Sequence, residues 1–428
     1  MDKVQEKTSR KKILNNLILH LHPKVIPEST LRFTLTFGLG GMTALLIVLQ
    51  ALTGLLLRFV YVPTPAGAYN SVLHIKNELV IGSFVRNIHY WSGSLLIVIV
   101  FLHMLRVFFT SAFHERRKSN WVFGVILLIL VLLSNFTGYL LPWDQLAYWA
   151  ITVVSNMLNY IPVIGESINS LVLQGTEVGA PTLILFYNLH TGLVPLALII
   201  LMAFHFWKVR KAGGVIIPGG GERKGQKTVS VMPHLLAREF VVALVLLAVV
   251  FLLAVILEAP LQERANPLSS PNPAKAPWYF QGFQELILHF HPTIAVVLVP
   301  VTALVLMFSL PYLKYGETIT GIWFISKTGK KLSLISLFVA ITTTPAYIVF
   351  DEYVIRTTNS ESLFGNGIIT FVVLSLLIIG FAYLLRRKFN VSRAEIVQTL
   401  FIYLVSSFIV LTITGIFFRG EGMALTIP

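Results

Sequence analysis

The sequence predicts an all-α polytopic membrane protein with about nine transmembrane helices. Three observations lead there. Hydrophobic residues make up 55% of the 428 residues and charged residues 12%, with a mean hydropathy of +0.78; this balance excludes a soluble globular protein. The chain contains about nine apolar runs, each near the 20 residues a helix needs to cross a bilayer. Its lysines and arginines collect in alternate loops, the pattern of cytoplasmic loops. The net charge of +14 therefore reads as membrane topology, and no nucleic-acid partner is expected.

The elements follow in order. Residues 1–32 form a basic cytoplasmic segment with Lys3, Lys7, Arg10, Lys11 and Lys12. It lacks a signal-peptide cleavage pattern, and 13–22 reads as an amphipathic helix lying on the membrane surface. Apolar runs then occupy about 33–60, 88–110, 121–142, 183–207, 239–258, 289–313, 332–350, 366–385 and 396–418. The first four make one unit, 33–212. The Gly-rich stretch 213–237 is a linker, because its glycines and Pro218 disfavour regular structure. Residues 238–428 form a five-span C-terminal region.

The basic loops are the N-terminus, 114–118, 208–238, 314–331 and 386–393, whereas 143–181 holds no Lys or Arg. The expectation is an integral protein of a prokaryotic-type cytoplasmic membrane, with the N-terminus in the cytoplasm and the C-terminus outside.

Four histidines lie inside these runs: His89 and His103 in the second, His190 and His205 in the fourth. Fourteen residues of helix rise roughly 21 Å and complete about four turns, so both members of a pair project from similar faces. The second and fourth spans run in the same direction, which pairs His89 with His190 and His103 with His205. Each pair suits a haem iron held between two imidazoles, so the four spans form a dihaem bundle. One mononuclear zinc or copper site cannot gather residues roughly 21 Å apart. Isolated intramembrane histidines can also simply bond a neighbouring helix, but matched pairs argue for a shared task. Gly40 and Gly54 in the first run, and Gly124 and Gly138 in the third, repeat the 14-residue pitch. A position without Cβ lets a flat macrocycle approach the helix, although small residues also serve ordinary helix packing. With no cysteine in the chain, a c-type haem attachment and a cysteine-ligated iron–sulfur cluster are both excluded from this polypeptide.

The chain resembles cytochrome b of the quinol-oxidising cytochrome bc and b6f complexes, fused with a region like subunit IV. The resemblance rests on Arg86-Asn-Ile-His89, His103-Met-Leu-Arg106, Gly138-Tyr-Leu-Leu-Pro142-Trp143-Asp144-Gln145, Tyr148-Trp149-Ala150, His190-Thr-Gly, His205-Phe-Trp, Ala265-Asn266-Pro267 and Pro277-Trp278-Tyr279. These motifs cover about 30–310, and the 15-residue gap to His205 is b6-like; the last three runs match only in being apolar and correctly oriented. The resemblance implies two non-covalent haems b. His89 and His190 would hold the outer, low-potential one and His103 and His205 the inner, high-potential one. It implies Arg86 and Arg106 as partners of haem propionates, a role suited to a bidentate cation, though basic residues there also snorkel to the interface. It further implies quinol and quinone as substrates, a Rieske-type iron–sulfur protein and a c-type cytochrome as partners, and a homodimer within a larger complex.

Two departures qualify the resemblance. The family's outer quinol motif carries an acid before Trp-Tyr, and this chain has Ala276-Pro277-Trp278-Tyr279. Tyr279 and Glu285 are the catalytic candidates, Glu285 as a replacement proton acceptor or else an interfacial carboxylate at a helix start. Tyr148, Pro277, Trp278 and Tyr279 are expected around the outer quinol. Gly38 stands where b6-type chains carry a haem-binding cysteine, so a third, covalent haem is not expected. At the inner face, His20, His22, Lys208, Arg210 and Glu239 are candidates for the quinone, with Lys208 and Arg210 equally readable as topology anchors.

The expected function is transmembrane electron transfer between outer and inner quinone sites through two haems, coupled to proton translocation. Two alternatives stay open. One is a dihaem anchor joining quinone to a dehydrogenase or multihaem cytochrome without bifurcation. The other is a haem-free transporter.

Overall fold

The computed structural model describes residues 24–220, 225–315, 319–355 and 367–426. Among them, nine helices are long and apolar enough to cross a membrane: Leu39–Arg58, Gly82–Phe109, Glu115–Tyr139, Ala180–Lys211, Val231–Ile256, Ile294–Tyr312, Lys327–Ile355, Gly367–Phe389 and Arg393–Phe417. We call these the first to ninth spans. The expected amphipathic helix at 13–22, with His20 and His22, lies outside the described residues. The first span starts later than its apolar run, because Phe37 (φ 51°) and Gly38 (φ 69°) adopt the left-handed conformation and interrupt the helix. Glycine takes that conformation without a Cβ penalty. A Cβ at Gly38 would also lie 3.0 Å from Val242 of the fifth span.

A two-stranded antiparallel ribbon ties the segment before the first span to the segment before the fifth. Strand β1, Val25–Pro27, pairs with β2, Thr228–Ser230, with Val25 opposite Ser230. Both spans therefore begin at the same end of the molecule, which requires an even number of crossings between them.

The main core lies between the first five spans. Leu46, Leu96, Val100, Val131, Val194 and Leu198 pack there with Leu246, Val250 and Ala254 of the fifth span. The N-terminal end of the second span secures the chain that leaves the fifth. Asn87 Nδ2 donates to Ala254 O at 3.0 Å and its Oδ1 accepts from Ala259 N at 2.9 Å, while Trp91 Nε1 donates to Leu257 O at 2.8 Å. These bonds satisfy carbonyls that a helix end leaves free. At the other end, Phe108, Phe109, Phe113 and Trp121 form a cluster with Leu310 and Ile402, joining the four-helix unit to the sixth and ninth spans.

The seventh and ninth spans are stitched by polar side chains: Ser336 Oγ donates to Thr399 O at 2.7 Å, and Gln398 Nε2 to Ser333 Oγ at 3.0 Å. Between apolar helices in lipid, such bonds supply specificity that apolar burial does not. Large apolar side chains such as Leu252, Val255, Leu376 and Leu377 are exposed, as expected of surfaces that meet hydrocarbon.

Candidate dihaem site

The structure brings the four histidines together in the two expected pairs. The His89 and His190 ring centroids are 6.1 Å apart, and those of His103 and His205 are 6.4 Å apart. Two metal–nitrogen bonds of about 2 Å and two ring radii of about 1 Å span about 6 Å, so each gap admits one iron with two imidazole ligands. The pairs occupy opposite ends of one bundle, called outer and inner here after the expected orientation.

The unequal spacing, 14 residues in one span and 15 in the other, has a local cause. Leu189–Leu193 forms a π-helical turn, in which Val194 N–H bonds Leu189 O. A π-turn accommodates one extra residue within an α-helix. Pro195, which lacks an amide hydrogen, follows at the start of the next segment, Val194–Lys211. The extra residue is thus absorbed beside His190, and the two pairs keep nearly equal separations.

Each expected glycine faces one histidine. A Cβ at Gly40 would lie 3.2 Å from His103 Cε1, at Gly54 3.1 Å from His89 Cε1, and at Gly124 3.6 Å from His205 Cε1. At Gly138 it would collide with His190 Cε1. The first and third spans thus leave room for the imidazoles themselves, a tighter requirement than the approach of a macrocycle.

Hydrogen bonds set the outer histidine tautomers. His190 Nδ1 lies 3.0 Å from Ser134 O; a carbonyl only accepts, so Nδ1 carries the proton and Nε2 has its lone pair free for a metal. His89 Nδ1 lies 2.8 Å from Thr53 Oγ1, whose own hydroxyl donates to Leu49 O at 2.7 Å. Sequence reasoning missed Thr53, Ser134 and Thr137. The Thr-Gly dipeptides 53–54 and 137–138 were the available signal, since a threonine next to a histidine-facing glycine is only about 100° from it around the helix.

Arg106 fits an anionic group at the inner end. Its Nε donates to Leu35 O at 2.6 Å, and its buried Nη2 has no hydrogen-bond partner among the described residues. A buried guanidinium nitrogen left unpaired is costly unless an anion meets it, and a haem propionate is an anion of the right kind. Arg86 meets backbone carbonyls instead. Its two terminal nitrogens donate to Ala259 O at 2.8 Å and Pro260 O at 2.6 Å, in keeping with the attraction of a cation to free carbonyls beyond a helix C-terminus.

A family model described as cytochrome b/b6/petB matches residues 26–213. The chain is 45% identical over 192 residues to cytochrome b6 of Heliomicrobium gestii, an alignment covering 45% of this chain and 88% of that one. The chain belongs to the cytochrome b/b6 family. It is 41% identical over 177 residues to cytochrome b6 of Acaryochloris marina, covering 41% of this chain and 82% of the relative. A solved chain of a hyperthermophilic respiratory Complex III shares the fold, with a TM-score of 0.69 at 21% identity, covering 97% of this chain and 98% of that one. That shared fold extends through the last three spans, where sequence motifs gave no match.

The remaining expected residues divide between places. At the outer end, Trp278 and Tyr279 pack against the main core, and Phe280 against Phe136 with centroids 5.6 Å apart. Burial, with Tyr139 and Tyr90 nearby, raises the Tyr279 hydroxyl above its ordinary pKa. Pro277 is buried. Tyr148 packs in a different cluster, with Trp143, Leu183 and Tyr61, so its ring is not brought into the Tyr279 cluster. The cause is helical phase: on Gln145–Leu158, Ala150, Ile151 and Val154 supply the face that packs in the cluster holding Phe136 and Phe280. At the inner end, Lys208 Nζ is 3.1 Å from Ser119 Oγ, joining the third and fourth spans. A separate cavity of about 570 Å³, lined by Glu28, Arg32, Lys227, His234 and Arg238, opens beside the ribbon. Neither Lys208 nor Arg210 reaches it, and Glu239 is only a sequence neighbour of its lining.

Glu285 occupies a setting that sequence reasoning did not foresee. It is fully buried on the helix Gln281–His289, where its Oε1 is 2.5 Å from Arg419 Nη2 and 3.1 Å from His289 Nε2. His289 Nδ1 is 2.7 Å from Asp351 Oδ2, and Arg419 Nη1 is 3.1 Å from Glu352 Oε2. Burial alone raises the Glu285 pKa, but hydrogen bonds from His289 and Arg419 outweigh it and hold the carboxyl below its ordinary 4.5. A carboxylate held ionised by two cationic partners is a poor acceptor for a quinol proton, so the expected acid–base role does not suit this geometry. Arg419 had one sequence signal: a lone arginine just beyond the last apolar run.

This cluster predicts a pH window. Burial lowers the His289 pKa, but the bonds to Asp351 and Glu285 dominate and raise it above 6.5. The raised histidine stabilises fully below 6.5 and loses this as pH rises through its folded pKa. The depressed Glu285 stabilises fully above 4.5 and loses this as pH falls through its folded pKa. The melting temperature of the intact complex, compared with that of His289→Gln, is expected to show its largest difference between about pH 4.5 and 6.5. A pH-independent difference would count against the charged cluster.

Proposed function

We propose that this chain is the dihaem cytochrome b subunit of a quinol-oxidising bc-type complex. The observation that carries the reading is the pair of matched imidazole sites at opposite ends of one bundle, 6.1 and 6.4 Å between rings. His89 and His190 would hold the outer haem b, and His103 and His205 the inner. When bound, the two haems supply a one-electron path across the membrane, linking quinol oxidation outside to quinone reduction inside, with protons released and taken up on opposite sides. The chain's own residues position and insulate that path. Gly40, Gly54, Gly124 and Gly138 make room for the ligands, Arg106 offers a charge to the inner haem, and Tyr279 and Pro277 wall the outer quinol site. The four-span unit 33–212 as a separate dihaem module is supported by the family match, which ends at 213. The expected orientation is supported by the alternate basic loops. A Rieske-type protein, a c-type cytochrome and a second copy of this chain are proposed partners, by likeness to the family.

Extraction of the purified complex with acidified acetone is expected to free two b-type haems per chain and leave none on the polypeptide. Haem that stays covalently attached, or a reduced-minus-oxidised spectrum without b-type bands, would refute the dihaem reading.

The setting of Glu285 favours one alternative, a dihaem anchor without bifurcation, because neither Pro277 nor Glu285 offers a free outer-site base. Glu285→Gln separates the two roles of that residue. It is expected to lower the melting temperature while quinol turnover per assembled complex changes little. A turnover loss of about 10²-fold with full assembly would restore Glu285 as proton acceptor. Asp144 is another outer carboxyl: burial raises its pKa, and bonds from Gln262 N and Ala147 N only partly offset this. Co-purification of a Rieske protein would favour bifurcation, and its replacement by a dehydrogenase the anchor.

A further inference from the structure

We propose that Thr53 and Thr137, together with the Ser134 carbonyl, lower the midpoint potential of the outer haem by accepting hydrogen bonds from its two histidine ligands. The inference rests on the dihaem reading. The 14-residue repeat that relates the two ends of the bundle is broken at these positions. Threonine precedes the histidine-facing glycine at the outer end, in Thr53-Gly54 and Thr137-Gly138. At the inner end the same places hold Leu39 and Phe123, whose side chains accept no hydrogen bond.

The outer bonds have a fixed direction. Thr53 Oγ1 donates to Leu49 O at 2.7 Å and Thr137 Oγ1 to Leu133 O at 2.9 Å. Each hydroxyl proton is thereby committed to its own helix, and the oxygen turns a lone pair to the ring. His89 Nδ1 then donates to Thr53 Oγ1 at 2.8 Å. His190 Nδ1 donates to Ser134 O at 3.0 Å, with Thr137 Oγ1 at 3.3 Å. Gln50 steadies the arrangement, its Nε2 donating to His89 O at 2.5 Å and to Ser92 Oγ at 2.7 Å. At the inner end, His205 Nδ1 is buried with no hydrogen-bond partner among the described residues.

A ligating imidazole whose Nδ1–H donates to an acceptor carries more electron density on Nε2, and so is a stronger axial donor. Stronger donation favours ferric over ferrous iron and lowers the potential. Two chemically identical ligand sets thereby become unequal centres, with ferrous iron favoured at the inner end. The polypeptide builds this bias from hydroxyls placed one residue before a glycine.

The test is a redox titration of the intact complex, following the absorption band of each haem. Thr53→Val keeps the side chain's shape and removes the acceptor; it is expected to shift the outer midpoint upward and leave the inner one in place. Thr53→Ser, which keeps the hydroxyl, is expected to hold the wild-type value. Leu39→Thr places a hydroxyl at the equivalent inner position and is expected to shift the inner midpoint downward. A Thr53→Val complex with both haems bound and an unmoved outer midpoint overturns the proposal. Should that variant fail to assemble, Thr137→Val and Leu39→Thr carry the same measurement, and unmoved midpoints in both overturn it. Absence of haem from the wild-type chain is a different result, and overturns the dihaem reading itself.

Discussion

Replacing His103 by alanine is expected to abolish the inner haem and leave the outer one bound. The two sites share no ligand: His103 faces His205 and Gly40, while His89 faces His190 and Gly54. They are separated by 14 residues of helix, a rise of roughly 21 Å, and His103→Ala would leave only His205 to hold a haem at the inner site. Electron transfer across the membrane should fall to background while the outer haem is still reduced. A redox titration should find one of the two original midpoints, and a spectrum about half the b-type absorbance. Loss of both haems from an inserted, assembled complex would mean that the sites are not independent. His89→Ala is the mirror test and should remove only the outer component.

The second large effect is on stability. Arg419→Ala is expected to cost about 3–5 kcal/mol, the usual penalty for leaving a buried ion without its partner. Arg419 is itself buried and bonds Glu285 through Nε at 3.1 Å and Nη2 at 2.5 Å, and Glu352 through Nη1 at 3.1 Å. Its removal strands Glu285 beside His289 alone. Because the cluster joins the helix Gln281–His289 to the ends of the seventh and ninth spans, the loss should appear as disassembly of this corner. Thermal unfolding of the detergent-solubilised complex measures it. The double variant Arg419→Met with Glu285→Leu should recover much of the loss, since apolar residues of similar volume replace buried ion pairs at little cost. If Arg419→Ala melts within a degree of the wild type, the charged cluster contributes no net stability.

Much of this molecule was legible in the residues. Nine spans, their mutual directions, the His89–His190 and His103–His205 pairing and the glycine opposite each histidine all follow from local periodicities. Hydrophobicity reports membrane depth directly, and a helix converts spacing into face and height without help from the rest of the fold. Gly54 and Gly138 were readable for the same reason, because the pitch of one helix must match that of its neighbour if both meet the same group.

What the tertiary structure decided concerns polar groups that lie far apart in the chain. Arg86 was read as a propionate partner or as an interface anchor, and the end of the fifth span, more than 170 residues away, presents its carbonyls to it. Glu285 was read as a proton acceptor or as an interfacial carboxylate at a helix start, but Arg419, just beyond the ninth span, pairs with it. Tyr148 turns with its own helix into another cluster. The π-turn beside His190 absorbs the extra residue that made the two spacings differ. Spacing along one helix is a property of the backbone and can be counted; the partner of a buried charge is whichever group the packing of other helices brings within about 3 Å, because inside an apolar core an ion accepts the nearest compensation available.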